Sequence, residues 1–199
     1  MRITKKPDVR KQELIDLAKE MFLKNGYEKV SVREIVNASE SMGSPGLFYY
    51  YFKSKKAIYE AVIDQMVDQE IEERRTIYED NKAEPLQALM KLLHVIHNDS
   101  FEYQKFRLEK ENRTLLEQVS KKLIVAEEDI LNELITDMLK EEIISSNPLI
   151  NLKSVKYITA FLIYGSNGIL VGLNPDDDRE EANQHIRLLI QELLGIKIE

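Results

Sequence analysis

Residues 44–56 read Ser44-Pro45-Gly46-Leu47-Phe48-Tyr49-Tyr50-Tyr51-Phe52-Lys53-Ser54-Lys55-Lys56, and this stretch decides the fold. It places five aromatics in a row beside three lysines, in a chain with only six Phe and nine Tyr. Ser44-Pro45 is a helix start, with a hydroxyl cap and a proline whose missing amide costs nothing in a first turn. The aromatics then form a short helix over about 45–51, and because each helical step rotates the side chain by about 100°, they cannot share one face. Phe48 and Phe52, four apart, do share one, with Tyr51 close to it, and are expected in a core. Tyr49 and Tyr50 point elsewhere and carry hydroxyls that seek polar partners.

Working outward from this helix, everything reads as helical, with no convincing alternation of strand type. Pro7 suits a first turn, and Leu14, Leu17, Ala18, Met21 and Phe22 recur at three- and four-residue spacing. Asn25-Gly26 supplies a left-handed stop. Ser31-Val32-Arg33-Glu34 is a capping box that opens a short second helix carrying Ile35, Val36 and Ala38. Ser54 caps a long fourth helix that runs to about Glu79. Residues 8–52 are thus three helices, two of them very short and joined by a tight turn. Amphipathic helices are expected beyond, at about 84–97, 101–113, 115–143, 151–173 and 178–194, with breaks at Asn98-Asp99-Ser100, Ser145–Pro148 and Asn174-Pro175. The class is all-α: a three-helix N-terminal module over 1–53, then a helical bundle over 54–199.

Composition bounds what such a chain does. With 199 residues it buries a core without staples, and the lack of cysteine excludes disulfides and thiolate metal sites and fits a reducing cytosol. The basic start, Met1–Glu13, has no apolar stretch behind it and reads as no secretory signal. The uncharged run from Tyr157 to Pro175 is interrupted by Thr159, Ser166, Asn167 and Asn174, so it is expected as a fully buried helix rather than a membrane span. The net charge of −7 is unevenly distributed. Residues 1–56 carry twelve Lys and Arg against seven Asp and Glu, a net of +5, and the remainder sixteen against twenty-eight, a net of −12. A basic end that approaches a polyanion and an acidic body that stays off it fit this split.

A short helix with a bare, small-residue start fits the major groove of B-DNA, about 12 Å wide. Its amides and the Tyr hydroxyls can bind phosphates, and Lys53 and Lys55 reach the flanking backbone. The segment Lys11–Val62 resembles the N-terminal domain of TetR-family transcriptional regulators. Ala18 and Phe22, Gly26-Tyr27, the Ser31–Ile35 helix start, Tyr49 with Phe52, and Lys55 carry the resemblance. One departure stands out: Val36–Phe48 is about two residues longer than is usual in this family, through an expanded turn at Glu40–Gly43 or a longer second helix. The resemblance implies that Ser31 caps the second helix against a phosphate while Tyr49 and Lys55 hold backbone oxygens. Ser44, Pro45, Gly46 and Tyr50 would lie nearest the bases. Arg33 and the arm residues Arg2, Lys5 and Lys6 are further phosphate or minor-groove candidates. No Arg, Asn or Gln opens the third helix, so DNA shape and thymine methyls matter more than bidentate base pairs.

A dimer with reading heads about 34 Å apart would address a pseudo-palindrome. Its interface is expected on the last two helices, from Gly165, Gly168 and Gly172 on one and Ile186, Leu189, Ile190, Leu193 and Leu194 on the other. A small-molecule effector, hydrophobic or aromatic, would enter among the middle helices. Candidates there are His94, His97, Phe101, Tyr103 and Phe106, joined by Tyr157, Phe161, Tyr164 and Asn167. Two other classes compete. A helical adaptor would bind no DNA. A metal-binding bundle enzyme would use His94 and His97, but no Glu-x-x-His pair, phosphate loop or nucleophile motif accompanies them, so no cofactor, metal or catalytic residue is expected.

Overall fold

The computed structural model of the chain describes residues 7–39, 45–107, 113–173 and 176–196, with the backbone alone at 45, 100–107 and 171. The elements are α1 (Pro7–Asn25), α2 (Val32–Ala38), α3 (Pro45–Tyr51), α4 (Lys55–Asp80), α5 (Pro85–Arg107), α6 (Arg113–Lys140), α7 (Val155–Ala160), α8 (Ser166–Val171) and α9 (Arg179–Leu194). A five-residue π-helical turn, Phe161–Gly165, joins α7 to α8. Among the described residues there is no strand. The chain divides into two compact units: residues up to Gln69 with Lys105–Val119, and Glu70–Gln104 with Ser120 onward.

The first unit is built by α1, α2, α3 and the start of α4. Its core holds Leu14, Ile15, Ala18 and Phe22 of α1, Ile35 and Val36 of α2, and Ile58, Val62 and Ile63 of α4. Phe48 and Phe52 complete it at 0% and 4% exposure, each ring contributing about 1.5–3 kcal/mol of transfer free energy. Gly26, at φ 81°, ends α1 with its amide donating to the Phe22 carbonyl at 2.9 Å. That conformation costs glycine nothing and most residues about 1 kcal/mol or more. The chain then turns into Tyr27, whose ring packs on Phe22 and, at 4.4 Å between centroids, on Tyr59. The capping box at the start of α2 is complete: the Glu34 amide donates to Ser31 Oγ at 3.2 Å, and the Ser31 amide to Glu34 Oε2 at 2.7 Å. α2 ends at Ala38, so the lengthened link to α3 is not a longer second helix, and Glu40–Gly43 and Ser44 lie outside the described residues.

The second unit departs from expectation in three places. α5 does not break at Asn98-Asp99-Ser100 but runs on to Arg107. Asn98 and Asp99 are poor helix formers chiefly when they bond their own backbone. Here Asn98 accepts from Arg179 Nη2 at 3.1 Å and Asp99 accepts from Arg74, so tertiary partners occupy the side chains. The expected helix over 151–173 is interrupted by the π-helical turn, and it is not fully buried. Ile158, Thr159, Leu162, Ile163, Ser166 and Leu170 face the core, whereas Tyr157, Phe161, Tyr164 and Ile169 are exposed. Thirdly, most of the α9 stripe expected at a dimer interface is core: Ile186, Ile190 and Leu194 are buried with α5, α6 and α8, and Leu193 packs partly against them. Only Leu189 of that stripe stays largely exposed. No described helix is long and apolar enough to cross a membrane.

Buried polar groups in this unit are organised around two residues. Arg74 is fully buried and gathers three carboxylates. Its Nε donates to Glu127 Oε1 at 2.7 Å, Nη1 to the Glu70 carbonyl and carboxylate at 2.8 and 2.9 Å, and Nη2 to Asp99. His97, also buried, lies with Nε2 2.6 Å from Ser166 Oγ. The Ser166 hydroxyl donates back to the Leu162 carbonyl across the π-helical turn. With that proton committed, Nε2 must be the donor to Ser166. Burial, reinforced by His94, Arg179 and Arg187, lowers the His97 pKa to about 4.

Candidate nucleic-acid interface

α3 is anchored from beneath, and among the described residues nothing covers its outer face. Phe48 and Phe52 hold it in the core, with Phe48 edge-on to Tyr49 at 5.4 Å and Lys11 5.9 Å from the Phe52 ring centroid. Tyr49 and Tyr50 are 56% and 75% exposed, Gly46 is exposed, and Tyr51 is half-buried. The 3.6-residue period forces this division: a helix that turns Phe48 and Phe52 inward must turn Tyr49 and Tyr50 out. Each ring makes an edge contact on its own helix, Tyr49 with Phe48 and Tyr50 with Tyr51, while more than half of its surface faces water, open to a partner.

The neighbouring candidates differ in what holds them. Arg33 and Lys53 are exposed cations. Ser31 is exposed too; its oxygen accepts from the Glu34 amide, and its hydroxyl also bonds the Glu34 carboxyl. Hydrogen bonds to the Glu34 carboxyl from the Ser31 side chain and the Ser31 backbone amide, with a smaller contribution from the charge of Lys55, hold it below the ordinary value and keep it an acceptor for the cap. Lys55 is half-buried, with its ammonium 4.1 Å from the centroid of the Tyr27 ring and 3.5 Å from the Glu28 carbonyl oxygen. It therefore ties the turn after α1 to the start of α4, besides presenting charge. Pro45 opens α3. Arg2, Lys5 and Lys6 lie outside the described residues.

Among the described side chains, the expected effector residues do not all come together. His94 is exposed on a groove of about 690 Å³ formed by α4, α5 and α9, while His97 is sealed against Ser166. Tyr157, Phe161 and Tyr164 instead share an exposed face of α7 and the π-helical turn, where the Tyr164 hydroxyl bonds Glu128. Asn167 is half-buried with Oδ1 lacking a hydrogen-bond partner. Phe101, Tyr103 and Phe106 lie on the last turns of α5, where only the backbone is described. Sequence reasoning missed Lys91 and Arg187, which line the groove with His94. No local pattern marks them, because α5 and α9 meet only in the folded chain. Among the described residues no three His, Asp or Glu side chains are grouped to hold a metal ion.

Comparison with known proteins converges on the same segment. Residues 14–62 match the model of the bacterial regulatory proteins of the tetR family. The HTH-type transcriptional regulator QacR of Staphylococcus aureus is 41% identical over 54 residues, which span 27% of this chain and only 28% of QacR. Over nearly the whole chain the fold is shared with the fatty acid degradation regulator FadR of Bacillus halodurans, at TM-score 0.59 and 15% identity, covering 96% of this chain and 97% of that one. It is shared as well with a TetR/AcrR-family transcriptional regulator of Thermobifida fusca, at TM-score 0.52 and 20% identity, covering 91% and 96%. Residues 14–62, which span α1–α3 and the start of α4, thus carry the sequence pattern of the tetR family of bacterial regulatory proteins, and the chain as a whole shares the all-helical fold of these solved regulators.

Proposed function

We propose that this chain is a dimeric DNA-binding transcriptional regulator, a cytoplasmic repressor whose grip on its operator is modulated by a small molecule. The observation that carries the reading is the outward presentation of Tyr49 and Tyr50 on a helix pinned from below by Phe48 and Phe52. α3 enters the major groove, Tyr49, Lys53 and Ser31 bind phosphates, and Gly46 and Tyr50 lie nearest the bases. Dimerisation uses the exposed apolar face of Tyr157, Phe161, Tyr164 and Ile169 together with Leu189 of α9. Gly168 has open space around it, so a partner helix can approach closely there. A two-fold axis through this face makes the contact self-complementary. The division into an N-terminal reading module and a helical regulatory body belongs to the same proposal, as does the absence of catalysis.

Salt-dependent binding to operator DNA tests it. Several phosphate contacts give a steep fall of affinity with salt, about 0.9 of log–log slope per phosphate. Tyr49→Phe with Lys53→Ala lowers affinity for all sequences and flattens the slope by about 1, with the circular-dichroism spectrum unchanged. A protein that binds no DNA at low salt is the adaptor instead, and unchanged affinity in the double variant refutes the docking.

A further inference from the structure

The groove between α4, α5 and α9 has a composition unlike the body that carries it. Residues 57–199 hold a net charge of −12, yet no carboxylate lines this groove. Its walls are apolar at Ile77, Met90, Val95 and Leu188, and its charged residues are both cations, Lys91 and Arg187. Neither cation has a carboxylate partner among the described residues. Lys91 Nζ donates to two neutral oxygens, Asn81 Oδ1 and Gln87 Oε1, each at 2.8 Å. Arg187 makes no ion pair among the described residues. His94, at the same wall, takes a hydrogen bond from Asn98 at 2.9 Å. One layer below, burial and then nearby charge that includes Arg187 keep His97 neutral. At about 690 Å³ the groove falls within the range of small-molecule sites, roughly 300–1,000 Å³.

We propose that this groove binds a free amphipathic anion, an apolar chain ending in a single carboxylate, whose head pairs with Lys91 and Arg187 while the chain lies on Met90, Val95 and Leu188. The charge pattern selects this occupant. A cationic amphiphile would meet two unpaired positive charges and no acid, and a neutral one would leave both cations unused. The site deepens the regulator reading by assigning its effector a chemical class, and it rests on that reading only for its consequence at DNA.

Titration calorimetry of the full chain with sodium dodecanoate, below its self-association concentration and without DNA, decides the matter. Expected are saturable binding with one site per chain, no competition by acetate, and no binding of dodecyltrimethylammonium. Arg187→Gln and Lys91→Gln should each weaken dodecanoate at least tenfold, and Arg187→Glu with Lys91→Glu should abolish it. Because both side chains are exposed, the variants' melting curves should match the wild type. If the double charge reversal fails to fold, the two single Gln variants carry the test. Absence of dodecanoate binding, equal affinity for the cationic amphiphile, or indifference to both Gln substitutions overturns the site. Co-sedimentation with phosphatidylglycerol vesicles in place of dodecanoate binding also overturns it, by assigning the cations to a lipid surface. Since no DNA is present, failure here leaves the operator-binding result untouched, and the reverse also holds.

Discussion

Replacing Arg74 with Met should be the most damaging single change in the second unit, and its pH dependence should reveal why. The guanidinium is fully buried and is the sole cation among Glu70, Asp99 and Glu127 in the contacts described above. With all three acids ionised, the cluster keeps two negative charges in excess. The side chains of Glu70 and Asp99 retain 31% and 29% exposure and reach water, whereas that of Glu127 retains 4%. Burial already pushes the Glu127 and Asp99 carboxyls above their ordinary values, with Arg74 pulling the other way. Met fills a similar volume but leaves Glu127 buried with no counter-charge. Breaking a buried pair in this way costs about 3–5 kcal/mol, a large part of the 5–15 kcal/mol typical of a folded domain.

The sign of the pH effect follows from proton linkage. A carboxyl whose pKa is raised by folding binds protons more tightly in the native state, so it gains stability as pH falls. Removing Arg74 raises Glu127 further, and the deficit of the variant should shrink between pH 8 and pH 5. Urea unfolding followed by circular dichroism at 222 nm, at both pH values, measures this. Glu127→Gln in the Arg74→Met background should recover about half of the loss, since an amide needs no counter-charge, and the double-mutant cycle isolates the pair. A deficit below about 1 kcal/mol that is the same at both pH values would refute the reasoning.

Three further outcomes follow from the same structure. His97 is neutral in the fold, with a pKa near 4 against the ordinary 6.5. Its contribution is therefore present above pH 6.5 and lost as pH falls towards 4, by up to about 3 kcal/mol at 1.36 kcal/mol per pH unit; His97→Gln should remove this part of the acid sensitivity in pH-dependent urea unfolding. Glu142 holds φ 59° just after α6, where a non-glycine residue costs about 1 kcal/mol, so Glu142→Gly should raise the thermal midpoint and Glu142→Val should lower it. Phe161→Glu with Leu189→Asp should convert the proposed dimer to a folded monomer in analytical ultracentrifugation and weaken operator binding, because each reading head then binds its half-site alone.

Much of the first unit was legible because its signals are local. Ser31 and Glu34 lie three residues apart and cap each other, Gly26 stops α1 within one turn of Phe22, and Phe48 and Phe52 share a face by helical period alone. The body was less legible for the opposite reason. The residues Asn98-Asp99-Ser100 read as a break, yet partners from α4 and beyond α8 occupy Asn98 and Asp99 and the helix continues. In α9, the leucines and isoleucines look alike in a linear pattern, and packing against α5 and α6 alone separates buried Ile186 and Ile190 from exposed Leu189. Tyr157, Phe161 and Tyr164 read as lining an interior, but the helix that carries them buries only its opposite face.

By itself the sequence determined the helical class, the three-helix head with its caps and stops, and the outward turn of Tyr49 and Tyr50. Each of these depends on residues within about one or two helical turns of one another, where backbone hydrogen bonds and side-chain period set the outcome. Tertiary structure decided the rest: which apolar stripe became core, which acids surround Arg74, and how Lys91 and Arg187 came to share one groove. Those outcomes depend on desolvation and charge pairing between distant segments, and both arise only when the helices meet.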